Sequence, residues 1–190
     1  GEGVKTAFES NFKVLGGEIV ISEGTQQSAK DFRTQISKIK SANPEYIYTP
    51  MYPDGGTVFL TQLKEQGVKT KVFGADGWAD PKFIKDASGK ADILYAEVKT
   101  GSTAAFEAKI IAKTKMEKVP VGSAQAYDAM ALVGIVLKKT GTNSDAFADE
   151  LRAQKYTGVS GPISFDANGD LVGGEYIVKR IADGVATEVK

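Results

Sequence analysis

The sequence predicts an α/β fold built on a parallel sheet, and two patterns in its first hundred residues support this class. Short apolar strands, such as those predicted at 45–48 and 70–73, alternate with helices whose apolar residues recur at helical spacing. Strands and helices that alternate in this way form βαβ units, whose sheet is covered by helices on both faces. The hydrophobic share of 42% in 190 residues is that of an ordinary globular protein.

Local signals define each element of this first part. An apolar stripe predicts a helix over 2–15, which ends at Gly16 because glycine favours helix C-termini. A strand is predicted at 18–22, and a capping-box pattern at 28–31 opens a helix that Pro44 closes. The remaining predicted elements are a strand at 45–48, a helix at 55–66, a strand at 70–73, a short helix at 81–87 and a strand at 93–98.

The alternation changes after residue 100. Three helices are predicted in succession, at 103–115, 124–139 and 145–154. The second is apolar almost all round, which is typical of a buried helix, and the first hundred residues offer no obvious place to bury it. Strands are then predicted at 162–165, 175–181 and 186–189, with turns at 166–169 and 183–184.

Composition excludes several classes of function. Histidine and cysteine are both absent, which removes Ser-His-Asp and Cys-His nucleophiles, His/Cys zinc sites and Cys-ligated iron–sulfur clusters. The 24 basic and 24 acidic side chains cancel, so nothing favours nucleic acid. Residues 166–170 resemble the start of a calcium loop, but Leu171 and Ile177 stand where it needs glycine and glutamate, so a hairpin turn is predicted. We therefore predict neither a metal nor a cofactor.

Two loops that follow predicted strands carry the candidate binding residues. Met51 and Tyr52 follow one strand, and Asp76 and Trp78 follow the next. Ligands of open α/β sheets bind at the carboxyl ends of strands, and an aromatic surface beside one carboxylate suits a small ligand that carries a cationic amine. Other interpretations stay open: Tyr52 as a surface aromatic, Asp76 as a turn cap and Trp78 as core.

Several short motifs occur in a fixed order over nearly the whole chain. They are GEG at 1–3, LGG at 15–17, DF at 31–32, GADGW at 74–78, AYDA at 126–129 and GVSGPISFD at 158–166. As an ordered set they resemble the C-terminal part of a type I periplasmic solute-binding protein. More narrowly, they resemble the branched-chain amino-acid (leucine/isoleucine/valine) binding family of ABC importers.

This resemblance implies a periplasmic-binding-protein-like I fold with two doubly wound α/β lobes joined by three crossings. Residues 1–119 would belong to the second, C-terminal lobe, residues 120–172 would return to the first lobe, and residues 173–190 would return to the second. The sheet would then have a gap beside the strand at 18–22, and unpaired strand edges are costly. We therefore expect an incomplete chain whose partner is a missing N-terminal lobe or a swapped copy of itself.

The same resemblance implies a function without catalysis. In the family, an amino acid lies between the lobes, and second-lobe residues supply an aromatic wall and an acid for its ammonium group. Tyr52 matches the aromatic position and Asp76 the acid, which is glutamate in the leucine-binding members. Met51 and Trp78 are pocket neighbours. The implied protein delivers its ligand to an ABC permease and is periplasmic or otherwise extracytoplasmic, either secreted or lipid-anchored.

Two alternatives to an importer component stay open. The first is a sensory ligand-binding ectodomain of the same fold. The second is a carboxylate-dependent hydrolase, which would need a second acid near Asp76, and the loop candidates for it are Asp54 and Asp80.

Overall fold

The computed structural model describes residues 2–99 and 101–189, apart from the side chain of Ser144. Its helices are α1 (Glu2–Val14), α2 (Arg33–Ala42), α3 (Pro53–Glu65), α4 (Pro81–Ala87), α5 (Ala104–Thr114), α6 (Ser123–Thr140) and α7 (Ser144–Arg152). Its strands are β1 (Tyr46–Thr49), β2 (Lys71–Gly74), β3 (Ile93–Val98), β4 (Lys155–Gly158), β5 (Gly161–Ser164), β6 (Tyr176–Ala182) and β7 (Val185–Glu188).

The chain divides into two compact units, which we describe separately. Unit 1 comprises Gly1–Val98 and Tyr176–Lys190, and unit 2 comprises Lys99–Glu175. The lobe boundaries predicted from the sequence, near residues 119 and 172, would keep α5 with the preceding sheet. The division into compact units instead places α5 in unit 2. The assignment of segments to lobes stays a prediction.

Unit 1 contains a mixed five-stranded sheet in the order β1-β2-β3-β6-β7. The first three strands are parallel, as predicted, whereas β6 and β7 continue the sheet in antiparallel fashion. Parallel pairing sets Thr49 at the end of β1 beside Gly74 at the end of β2. The two loops that the sequence singles out therefore begin at the same edge of the sheet.

One apolar core supports this sheet. Helices α2, α3 and α4 turn their apolar faces into it, since side chains three and four residues apart share a face of a helix. The core includes the buried residues Phe32, Ile36, Phe59, Leu60, Leu63, Val72, Trp78, Phe83, Ile93, Tyr95 and Ile181. In contrast, α1 has no buried residue.

Two local predictions in unit 1 are wrong. Residues 18–22 form no strand, because no described strand pairs with them and an extended segment needs a neighbour for its backbone hydrogen bonds. The capping box at 28–31 does not open α2, which begins at Arg33. The Phe32 N–H at the N-cap position donates to the side chain of Gln62, on the distant helix α3, at 2.7 Å.

Unit 2 consists of three helices and the antiparallel hairpin β4–β5. The sequence misses β4. Within this chain α6 buries one face, formed by Ala124, Asp128, Leu132 and Val136 at a spacing of four, and its other faces are partly or fully exposed. That these faces are covered by a first lobe stays a prediction. The predicted turn at 166–169 is present. None of the helices among the described residues is long and apolar enough to cross a membrane.

Candidate ligand-binding loops

Tyr52 lies at the junction of β1 and α3. Its backbone is extended, with φ −65° and ψ 157°, and its carbonyl accepts the first helical hydrogen bond from Gly56 N–H at 2.9 Å. Pro53 follows at the first helical position, where a missing N–H has no cost. The Tyr52 side chain is 67% exposed, so its ring is available at the end of the sheet.

Asp76 begins a single 3₁₀ turn, Asp76–Ala79, directly after β2. Its exposed carboxylate accepts one hydrogen bond, from the Gly77 N–H to Oδ1 at 2.9 Å. The turn-cap interpretation does not hold, because Ala75 occupies the N-cap position of the turn and no side chain caps it. An exposed carboxylate retains further lone pairs with which to accept from a cationic group.

A second tyrosine, Tyr48 of β1, belongs to the neighbourhood of Asp76. Burial raises the pKa of the Tyr48 hydroxyl, and the negative charge of Asp76 raises it further. Its ring stacks on Phe8 of α1 with centroids 3.9 Å apart. A groove of about 440 Å³ adjoins it, lined by Val4, Ala7, Phe8, Asn11, Phe12, Leu15 and Tyr48.

Tyr46 and Tyr48 alternate along the strand predicted at 45–48, and this alternation predicts that both pack in the core. The prediction is wrong for Tyr46, which is 51% exposed. Tyr48 is half-buried and lies close enough to Asp76 for their charges to interact. A signal was available in the sequence: Tyr48 is one of the last residues before the candidate loop, at the strand end where ligands bind.

Trp78 supports the loops from inside the protein. It is fully buried, and its indole Nε1–H donates to the Met51 carbonyl at 2.9 Å. Gly74 makes room for the ring, because a Cβ there would lie 2.1 Å from it. The structure thus brings Met51 and Trp78 together and ties the loop after β2 to the loop after β1. The core interpretation fits the Trp78 ring, while Met51 is half-buried beside it.

The two acids considered for a hydrolase have other surroundings. Asp80 caps α4 by accepting from the Phe83 N–H at 2.8 Å, and Asp54 is exposed in the first turn of α3. An acid that caps a helix is held by that bond. No group of three or more acidic side chains that could hold a metal ion occurs within the described ranges.

Comparison with known proteins gives a consistent assignment. The family described as "Periplasmic binding protein" matches residues 1–184. A Leu/Ile/Val-binding protein from Citrobacter freundii is 28% identical over 195 residues, which cover all of this chain and 53% of that protein. The chain therefore spans about half the length of the curated relatives that it matches.

Solved structures match the fold over almost the whole chain. A leucine binding protein from Thermotoga maritima has a TM-score of 0.82 at 23% identity, covering 99% of this chain and 55% of that one. A branched-chain amino acid transporter substrate binding protein from Streptococcus pneumoniae, solved with isoleucine, has a TM-score of 0.73 at 26% identity and covers 99% and 56%. These matches confirm the predicted fold class.

Proposed function

Because this chain belongs to the periplasmic binding protein family, we propose that it forms part of the amino-acid-binding component of an ABC importer. The single observation that carries the proposal is the pairing of β1 with β2, which starts the Tyr52 and Asp76 loops at one sheet edge. Relatives named for binding leucine, isoleucine and valine support the choice of ligand class. The family is one of binding proteins, in agreement with the prediction that the chain is not an enzyme.

In this proposal Asp76 pairs with the ammonium group of the amino acid. A carboxylate and an ammonium form a charge-assisted hydrogen bond, which is stronger than a neutral one. The Tyr52 ring packs against the ligand, and its exposed position leaves it free to do so. Met51 lines the pocket, and Trp78 holds the Met51 carbonyl from below. We propose a branched-chain amino acid or a similar one as the ligand, on the strength of the relatives named for binding leucine, isoleucine and valine.

The rest of the importer also belongs to the proposal. The carboxylate of the amino acid would be held by a first lobe, supplied by the other half of a full-length protein or by a swapped copy of this chain. Closure of the lobes would trap the ligand, and the closed form would deliver it to the membrane permease. The protein would work outside the cytoplasm, in the periplasm or secreted or lipid-anchored.

Substitution of Asp76 tests the site. In a full-length protein that contains this chain, Asp76→Ala should weaken amino-acid binding at least about tenfold, because a charge-assisted bond contributes about 1.5 kcal/mol or more. Isothermal titration calorimetry with leucine, isoleucine and valine measures the loss. Asp54→Ala is the matched control, since it removes an exposed carboxylate from the first turn of α3, and it should leave the affinity unchanged. Equal affinities for both variants and the parent would refute the site.

A further inference from the structure

Asp128 is a buried carboxylate in unit 2 that the proposed function does not use. It lies on the covered face of α6 and is 0% exposed. Its oxygens accept from the Val159 N–H at 3.0 Å, the Ser160 N–H at 2.7 Å and the Ser160 hydroxyl at 2.5 Å. One side chain of α6 thus binds three donors in the turn between β4 and β5.

The turn is built to admit this carboxylate. A Cβ at Gly158 would lie 2.2 Å from the Asp128 carboxyl carbon, so only glycine leaves the carboxylate its place. Gly161, on the other side of the turn, has φ +113°, a conformation that side chains disfavour. The contact between α6 and the hairpin is therefore specified from both partners.

The same turn receives the chain where it enters unit 2. A Cβ at Gly101 would lie 2.5 Å from the Ser160 carbonyl oxygen, so the backbone at Gly101 packs directly on that peptide group. Two residues earlier, the Lys99 N–H donates to the Glu175 carbonyl at 2.7 Å. Lys99 and Glu175 are the first and last residues of unit 2, and this bond joins its two ends.

We propose that Asp128 is a positioning residue for the connecting segments of unit 2. By holding Val159 and Ser160, it fixes the Ser160 carbonyl against Gly101 and thereby fixes the backbone that carries the Lys99–Glu175 bond. The role needs no ligand, so it does not depend on the proposed binding function. Contacts among the described residues join Asp128 to Ser160 and Ser160 to Gly101, and Lys99 lies two positions before Gly101 in the sequence.

Amide hydrogen exchange of this 190-residue chain tests the inference. In Asp128→Asn, we expect the protection of the Val159 and Ser160 amides to fall about tenfold, since hydrogen bonds to charged groups contribute about 1.5 kcal/mol or more. The protection of the Lys99 amide should fall with them. Asp149→Asn is the matched control, because Asp149 is an exposed carboxylate of the same unit that pairs with Arg152, and it should change none of these amides.

A double-mutant cycle separates positioning from local support. Gly101→Ala displaces the same peptide contact from the other side, so combining it with Asp128→Asn should expose Lys99 little more than either change alone. The proposal would be overturned if the two substitutions reduced the exchange protection of the Lys99 amide independently, so that their effects multiply. It would also be overturned if Asp128→Asn left that protection unchanged. Ser160→Ala and Ser160→Thr provide a milder pair: threonine keeps the hydroxyl donor and should restore the Lys99 protection that alanine loses, and equal loss in both would also overturn it.

Discussion

Units 1 and 2 are stabilised in different ways. Unit 1 buries a continuous apolar cluster with large rings such as Trp78, Tyr95 and Phe83 at its centre. Among the described residues of unit 2 fewer apolar side chains are buried, with Phe106 the largest, and a carboxylate, Asp128, is buried on the same face of α6 as Leu132 and Val136. Apolar burial is non-directional and roughly proportional to area, whereas a polar cluster loses its value when one member is left unpaired. The comparison indicates that the stability of unit 1 depends on the volume of buried apolar side chains, whereas that of unit 2 depends on the geometry of the hydrogen bonds to Asp128.

The largest effect should come from the centre of the apolar unit. Trp78→Ala should destabilise the protein by about 4 kcal/mol, because it leaves a large cavity and an unpaired Met51 carbonyl. Urea denaturation followed by far-UV circular dichroism measures the change. Tyr52→Ala, in the adjoining loop but exposed, should change stability by less than about 0.5 kcal/mol. If the Trp78→Ala variant were as stable as the Tyr52→Ala variant, the claim that buried apolar side chains stabilise unit 1 would be wrong.

The polar unit should respond most strongly at Asp128. Asp128→Ala should cost about 3 kcal/mol, since it leaves the half-buried N–H groups of Val159 and Ser160 and the Ser160 hydroxyl without their acceptor. Asp149→Ala, which removes an exposed carboxylate from α7, should cost less than about 1 kcal/mol. Thermal or urea unfolding of unit 2 measures both. If the two aspartates were equivalent, the buried carboxylate would not be what holds this unit.

A smaller effect tests the space around that carboxylate. Gly158→Ala adds a methyl group that would overlap the Asp128 side chain, and we expect a loss of about 2 kcal/mol. Gly134→Ala is the control within the same unit: its Cβ would meet nothing within 4 Å on an exposed part of α6, so it should stabilise by about 0.5 kcal/mol. Opposite signs for the two changes, read from urea midpoints, would sharpen the comparison, and equal signs would contradict it.

The smallest predicted effect is a change in stability at acidic pH. Burial by itself would raise the pKa of Asp128, but the hydrogen bonds from Ser160 and Val159 outweigh it and hold the pKa below the usual range. A carboxyl group whose pKa is lowered by folding stabilises the protein above its unfolded pKa, and this contribution is lost as the pH falls through the folded pKa. The stability advantage of the parent over Asp128→Asn should therefore shrink below about pH 4. If the parent kept the same stability advantage over Asp128→Asn down to about pH 2, the negative charge of Asp128 would not be the source of that advantage.

Sequence patterns predicted most of unit 1 because its elements depend on local signals. The helix at α4 and the strand at β3 were predicted with the bounds that the structure has, and the position of Tyr52 and Asp76 at strand ends followed from the α/β alternation alone. The start of α2 was not predictable in this way, since no side chain caps it and the N–H of its N-cap residue Phe32 donates to the distant Gln62 side chain.

The features of unit 2 that the sequence failed to predict depend on contacts between residues far apart in the chain. The strand β4 has little apolar alternation of its own and exists through its partner β5. Asp128 looks like an ordinary polar residue on an apolar helix until the turn at Val159 and Ser160 is placed beside it. Tyr48, which lies near Asp76 of the candidate site, was assigned to the core because it alternates along a strand.

The indole of Trp78 has a consequence for spectroscopy. The chain contains a single tryptophan, so all of its tryptophan fluorescence arises from one ring enclosed between the loops that carry Met51 and Asp76. The emission therefore reports on unit 1 and on the candidate site, and unfolding confined to unit 2 should leave it unchanged. A ligand that reorganises either loop should change the tryptophan emission intensity without any added label. The same signal would distinguish unfolding of unit 1, which carries the candidate site, from unfolding of unit 2.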